Sequence, residues 1–178
     1  MFSKKHKLLI TGVCIVLLFG IGITAISVVG GKKPTVEAGS FENLIADRIE
    51  IKVENTEFTL KKSTDSPEQF TLTLFFSAKK TQADFYAMIN SFSIKNLSYD
   101  NIVFTALNDE TEGKTLDYLL LPANNGEPEE MKWQVDITLT VAGKGTYESA
   151  IQLDYTSGMN KNSAQQKIME IPLKITVE

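Results

Sequence analysis

Residues 131–155, MKWQVDITLTVAGKGTYESAIQLDY, decide the fold. Met131, Trp133, Val135, Ile137, Leu139 and Val141 alternate with Lys132, Gln134, Asp136, Thr138 and Thr140. A period of two is the mark of a strand with one buried and one solvated face. Ala142-Gly143-Lys144-Gly145 reads as a turn, and Tyr147, Ile151, Leu153 and Tyr155 alternate in reply. The spacing predicts a long antiparallel hairpin.

The same pattern extends in both directions. Ile49, Ile51 and Val53 face one way, and Phe58 and Leu60 fall on the opposite parity. A turn or bulge near Glu54-Asn55-Thr56 must absorb that slip. Ser63–Pro67 is a turn cluster, and Phe70, Leu72, Leu74, Phe76 and Ala78 form the next apolar face. Residues 83–90 suit a short helix or a strand, while Phe92 and Ile94 suit a strand. Ile102–Leu107 is another strand, and residues 115–121 are one more, stopped by Pro122. Met169, Ile171, Leu173, Ile175 and Val177 make the last, where Pro172 points to an edge or a bulge.

Eight or nine short strands with turns every 8–12 residues predict an all-β fold, an antiparallel β-sandwich. In strand count and alternation the pattern is similar to immunoglobulin-like or fibronectin-III-like domains. Trp133, alone of its kind, belongs to the expected core.

The N-terminal part is different. Residues 8–31 carry no charge and are flanked by Lys4, Lys5 and Lys7 before and Lys32 and Lys33 after. As a helix this run spans roughly 36 Å, enough for a bilayer core of about 30 Å. The expectation is a cytoplasmic tail over 1–7, a transmembrane helix or uncleaved signal anchor over 8–31, a linker over 32–47, and an extracytoplasmic domain over 48–178. The N-terminal lysines favour a cytoplasmic N-terminus. The competing reading is a secreted protein cleaved after Ser27, where Ala25 and Ser27 supply the small residues a signal peptidase reads. Cys14 lies too early in the apolar run for a lipidation site.

Residues 34–178 hold thirteen basic and 22 acidic side chains, a net charge of −9. That balance, without a basic stripe, argues against nucleic-acid binding. Cys14 is the single cysteine and His6 the single histidine, so neither type occurs beyond the apolar run. An exported domain without disulfides, with Arg48 the single arginine among 18 bases, points to a Gram-positive bacterial envelope.

Chemistry is restricted in the same way. Without histidine or cysteine there is no Ser-His-Asp or Cys-His arrangement and no ordinary zinc or copper site. Ser77-Ala78-Lys79-Lys80 matches S-x-x-K by letter but falls at a strand end without its partner motifs. Paired carboxylates such as Asp109, Glu110 and Glu112 sit in a turn-like loop where solvated acids are ordinary. Asn108, Glu110 and Glu112 are candidate calcium ligands by their alternation before Gly113, though they depart from the EF-hand pattern. Glu127, Glu129 and Glu130 crowd a second acidic loop. No enzyme activity and no cofactor is expected.

The expected function is therefore that of a membrane-anchored extracytoplasmic binding module of the bacterial envelope, with a protein or cell-wall partner. Loops 108–114, 122–130 and 156–167 are the first candidates for contact, with Tyr86, Tyr99, Tyr118, Tyr147 and Tyr155 as candidate interface aromatics. The alternatives are an accessory subunit of a secretion or transport complex, or the cleaved surface protein.

Overall fold

The computed structural model describes residues 35–178. The chain runs through β1 (Thr35–Ala46), β2 (Ile49–Lys61), β3 (Glu68–Lys80), β4 (Tyr86–Lys95) and β5 (Asn101–Ala106). After a 3₁₀ turn at Asp109–Thr111 come the short β6 (Leu119–Leu120), β7 (Ala123–Asn124) and β8 (Glu127–Pro128). Three long strands finish it: β9 (Met131–Val141), β10 (Gly145–Gly158) and β11 (Gln165–Val177). Nine of these strands form one sheet in the order β5-β9-β3-β2-β11-β10-β4-β6, with β1 paired to β2, and β7 and β8 form a separate small hairpin.

The sheet is curled. Phe76 on β3 and Phe92 on β4 meet edge to face at 6.0 Å between centroids. Phe92 meets Phe104 on β5 at 5.6 Å in the same manner. In hydrogen-bonding order β4 lies almost at the opposite end of the sheet from β5, so these contacts cross the core. Trp133, fully buried, lies beside Phe76 at 6.2 Å and donates its indole N–H to the Lys114 carbonyl at 3.0 Å. Edge-to-face pairs of this kind add to the burial of the rings themselves.

The hinge of the curl is in β2. Its first half, Ile49–Glu54, pairs antiparallel with β3, and its second half, Glu57–Leu60, pairs parallel with β11. Between them the buried parity changes: Val53 and Thr56 are both buried, with Asn55 inserted in the left-handed region at φ 67°. Opposite this point β1 has only Ser40 between Gly39, which faces Glu57, and Phe41, which faces Glu54. The bulge expected at Glu54–Thr56 is thus present. The Ser40 and Thr56 hydroxyls are hydrogen-bonded, and the Asn55 amide donates to the Thr73 carbonyl at 3.1 Å. A second slip lies in β4, where Asn90 is the extra residue opposite Asp154 and Tyr155.

Several expectations are corrected. β9 and β10 do not form a hairpin. All eleven residues of β9 pair with β3, from Met131 opposite Ala78 to Val141 opposite Glu68, and β5 occupies its other edge. β10 lies between β11 and β4. Ala142–Lys144 therefore carries the chain across from one part of the sheet to another. Alternation told which face of each strand is buried, but it carries no information about the neighbour along the edge. Within the segment expected as a linker, Thr35–Ala46 is strand β1, packed inward through Val36, Ala38, Leu44 and Ala46. Of the helix and the strand that both suited residues 83–90, the structure has the strand, with β4 beginning at Tyr86. Of the strand expected over 115–121, only Leu119–Leu120 pairs, because Tyr118 takes φ 55° and Asp117 caps the Phe92 amide at 2.6 Å. Pro172 lies in a part of β11 that has β10 on one side and no strand on the other, since β2 joins only from Lys174.

The expected membrane helix over residues 8–31 lies outside the described residues. Among the described residues no helix is long and apolar enough to cross a membrane.

The ladders divide the loops between two ends of the sheet. Ala46 faces Ile49, Ile49 faces Lys80, Ala78 faces Met131, Ala106 faces Trp133 and Gly158 faces Tyr86. Turns 47–48, 81–85, 107–114, 121–130 and 159–164 thus share one end. Thr35 faces Lys61, Glu68 faces Val141 and Gly145 faces Val177, so the described chain starts and finishes at the other.

Two outcomes test this account. Trp133→Ala should lower stability by about 3–5 kcal/mol in urea unfolding, since it empties a fully buried site. Glu68 accepts hydrogen bonds from the hydroxyls and amides of Ser63 and Thr64 at 2.6–3.1 Å. These bonds, the Ser63 hydroxyl first, hold its carboxyl down at about 2 against an ordinary 4.5. Its contribution is then present above pH 4.5 and lost as pH falls toward about 2. Glu68→Gln should flatten the acid limb of the stability profile over that window.

Candidate functional site

The most developed polar site is at the loop-bearing end, where β1 turns into β2. Only Asp47 and Arg48 connect the two strands, at φ 49° and 70°. A two-residue hairpin with both central residues left-handed is the turn whose twist matches its strands. Asp accepts this conformation readily, but Arg does so at a steric cost. Neighbouring side chains hold the turn. Asp47 accepts the Tyr155 hydroxyl at 2.7 Å on one oxygen and pairs with the Lys167 ammonium at 2.8 Å on the other. The hydrogen bond from Lys167, then that from Tyr155, lowers the Asp47 carboxyl below its ordinary value. Burial, then the Asp47 carboxylate, raises the Tyr155 phenol.

Arg48 is fixed separately. Its guanidinium lies over the Phe85 ring at 4.2 Å from the centroid. One terminal nitrogen donates to Gln82 Oε1 at 3.0 Å and to Met159 Sδ at 3.5 Å. The Arg48 carbonyl accepts from the Thr81 amide at 2.8 Å, which ties in the 81–85 turn. Asp47, Arg48, Phe85, Ser157, Gly158, Met159, Ser163, Gln165 and Lys167 line an open cleft of about 320 Å³.

The wall of this cleft formed by 159–164 is closely fitted. A side chain at Gly158 would come within 2.5 Å of the Ala164 Cα, so the backbones can approach only at glycine. Asn160 folds the loop on itself, its side-chain oxygen accepting from the Asn162 and Ser163 amides at 3.0 and 3.1 Å.

The residues singled out in the sequence have varied settings. Asn108 is a brace: its amide donates to the Glu130 carbonyl at 2.6 Å, and its oxygen accepts from the Thr111 hydroxyl at 2.9 Å and the Lys132 amide at 3.3 Å. The candidate calcium ligands Glu110 and Glu112 flank Thr111, which is completely buried with its hydroxyl also 2.8 Å from the Lys132 carbonyl. Among the described residues no three acidic, histidine or cysteine side chains converge as a metal site. Glu130 accepts from Ser77 at 3.0 Å and pairs with Lys132 at 2.8 Å. Burial opposes its ionisation, but the bonds from Lys132 and Ser77 outweigh that and lower its carboxyl. Ser77 and Lys80 do not meet: three residues apart on a strand they face opposite ways, and Lys80 donates to the Ala83 carbonyl at 2.7 Å.

Of the tyrosines, Tyr155 is buried against Asp47 and Tyr147 donates to the Gly143 carbonyl at 3.2 Å at the opposite end. Tyr118 is 83% exposed beside the exposed Leu120. Loops 108–114, 122–130 and 156–167 do share one end, but sequence reading passed over Asp47 and Arg48. The available signal was a lone arginine, following Asp47 and directly before the alternating run that begins at Ile49. The Asn125-Gly126 turn of the β7–β8 hairpin, with φ 50° and 83°, was also legible as a hairpin signal.

Neither the family models nor the curated proteins compared with this chain match it. Among solved structures it is similar to the CooA pilin subunit of enterotoxigenic Escherichia coli. The identity is 13%, the TM-score 0.36, and the match covers 69% of this chain and 90% of that one.

Tyr155→Phe should lower stability by roughly 1–2 kcal/mol, the value of a hydrogen bond to a charged acceptor at a partly exposed site. In the same variant, the Asp47 carboxyl followed by NMR should titrate closer to its ordinary range.

Proposed function

We propose that the protein is an extracytoplasmic binding module of the bacterial envelope, held by its N-terminal apolar segment and acting by contact rather than by catalysis. The observation that supports this best is the segregation of loops. β1 is twelve residues long, so Thr35 and the Asp47–Arg48 turn are separated by roughly 40 Å along the strand. A chain tethered through residues 8–31 would carry turns 47–48, 81–85, 107–114, 121–130 and 159–164 on the side away from the membrane. Long loops on a rigid β scaffold are where contact surfaces are commonly built. The two parts of the curled sheet, meeting through Phe76, Phe92 and Phe104, are read here as the two layers of a sandwich.

The absence of histidine and cysteine beyond residue 14 supports a non-catalytic role. The exposed Tyr118 and Leu120, on the sheet edge where β6 pairs with β4, add apolar contact area for a protein or cell-wall partner.

The test is crosslinking in intact cells of a C-terminally tagged chain, followed by recovery from membrane and medium. The expected result is a full-length chain in the membrane, crosslinked to a partner through the loop-bearing end. Changing Tyr118 and Leu120 to serine together should reduce that crosslink while leaving the protein folded. A chain beginning at Val28 in the medium would replace tethering by secretion. An unchanged partner set after alteration of loops 108–114, 122–130 and 156–167 would sink the loop assignment.

A further inference from the structure

We propose that the cleft beside the Asp47–Arg48 turn is a carboxylate-binding site, in which the guanidinium of Arg48 receives an acid group from a peptide. This deepens the reading of the domain as a binding module and rests on it.

The first ground is the state of Arg48. It is the one arginine of the chain. Its guanidinium is already oriented, stacked on Phe85 and anchored through a single terminal nitrogen to Gln82 and Met159. Among the described residues its other terminal nitrogen and Nε donate to no acceptor, and it forms no ion pair. A guanidinium offers parallel N–H groups in a fixed fork that matches the two oxygens of a carboxylate. Holding one nitrogen leaves the side formed by Nε and the second terminal nitrogen available for such a pair.

The second ground is the behaviour of Asp47. It is the adjacent carboxylate, yet both of its oxygens are committed elsewhere, to Tyr155 and Lys167. This arrangement neutralises Lys167 and leaves Arg48 unneutralised. Among the described residues the cleft therefore offers one unpaired cation. That suits a single carboxylate better than a phosphate dianion, which calls for more positive charge than the cleft supplies. Met159, 60% exposed, supplies apolar surface for the carbon atoms next to the acid group, while the buried Phe85 ring backs the guanidinium.

The third ground is the backbone. Arg48 holds φ 70° at a turn position where glycine or asparagine sits without strain. Strained residues persist where surrounding structure enforces them, and they concentrate at ligand sites. Here the enforced conformation aims a cation into the cleft.

The experiment is calorimetric titration of the full chain in detergent micelles with three probes. These are N-acetyl-trialanine with a free carboxylate, the same peptide as its amide, and N-acetyl-Ala-Glu-Ala-amide. Saturable binding is expected for at least one acid-bearing peptide, about tenfold or more tighter than for the neutral amide. The first peptide binding better indicates a chain terminus as the natural group, and the third an acidic side chain. Arg48→Gly should abolish the difference between acid and amide while the thermal midpoint stays level or rises, because glycine relieves the left-handed strain. Arg48→Asn, which also tolerates this backbone, serves as the second variant. The proposal is overturned if acid and amide titrate alike, if none saturates at millimolar concentration, or if Arg48→Gly binds as the parent does. A fall in the midpoint with binding retained would make Arg48 a brace of the turn and equally overturn it. These outcomes are separate from the loss of an envelope partner in cells, which bears on the broader function.

Discussion

The whole architecture depends on one extra residue in β2. Asn55, at φ 67°, lets a strand that buries Ile49, Ile51 and Val53 go on to bury Thr56, Phe58 and Leu60. A regular strand would have turned its second set of apolar side chains to solvent. The same residue ends pairing with β3 and allows pairing with β11. The Asn55 side-chain amide donates to the Thr73 carbonyl on β3, and the Thr56 hydroxyl bonds to that of Ser40 on β1. Polar groups at a bulge must find partners, and these find them on both neighbouring strands.

From that kink follows the curl, and from the curl follows the placement of the loops. β1 lines one edge of β2 throughout, and on the other edge β3 pairs with its first half and β11 with its second; β9 and β5 continue from β3, and β10 and β4 from β11. The apolar faces close over each other around Phe76, Trp133, Phe92 and Phe104. The chain then crosses between the two parts at Ala142–Lys144, over the end opposite the Arg48 cleft. Connections at each end are therefore brought together from distant parts of the sequence. Tyr155 on β10 reaches Asp47 across 108 positions.

Charge is distributed with the same economy. Most cations of this acidic domain that approach an acid do so at its surface: Lys52 and Lys79 flank Glu50, Lys95 meets Glu170, and Lys132 meets Glu130. Exposed pairs of this kind contribute little stability individually. Their larger effect is on what remains unpaired. Asp47 is held by a buried phenol and a lysine, so Arg48 stands beside a carboxylate without being neutralised by it. The turn conformation, the stack on Phe85 and the fitted Gly158–Ala164 contact fix that cation in place.

The long strands β2, β3, β9, β10 and β11, the parity slip at Glu54–Thr56 and the burial of Trp133 were legible from alternation, because a pleated strand exposes every second residue to one environment. The exclusion of histidine and cysteine chemistry was likewise a matter of composition. The β9–β10 hairpin was misread for the same physical reason that made the strands readable: side-chain pattern reports the face of a strand, whereas hydrogen bonding along its edges is made by backbone common to every residue. β1 was hidden because two of its outward side chains, Phe41 and Ile45, are apolar and exposed, which blurs the alternation. By itself, then, the sequence determined an all-β chain and which side of each strand is buried. The tertiary structure alone decided which strands are neighbours, and hence that Asp47, Arg48, Phe85, Tyr155, Met159 and Lys167 converge, because that convergence depends on long-range ladders that no local pattern encodes.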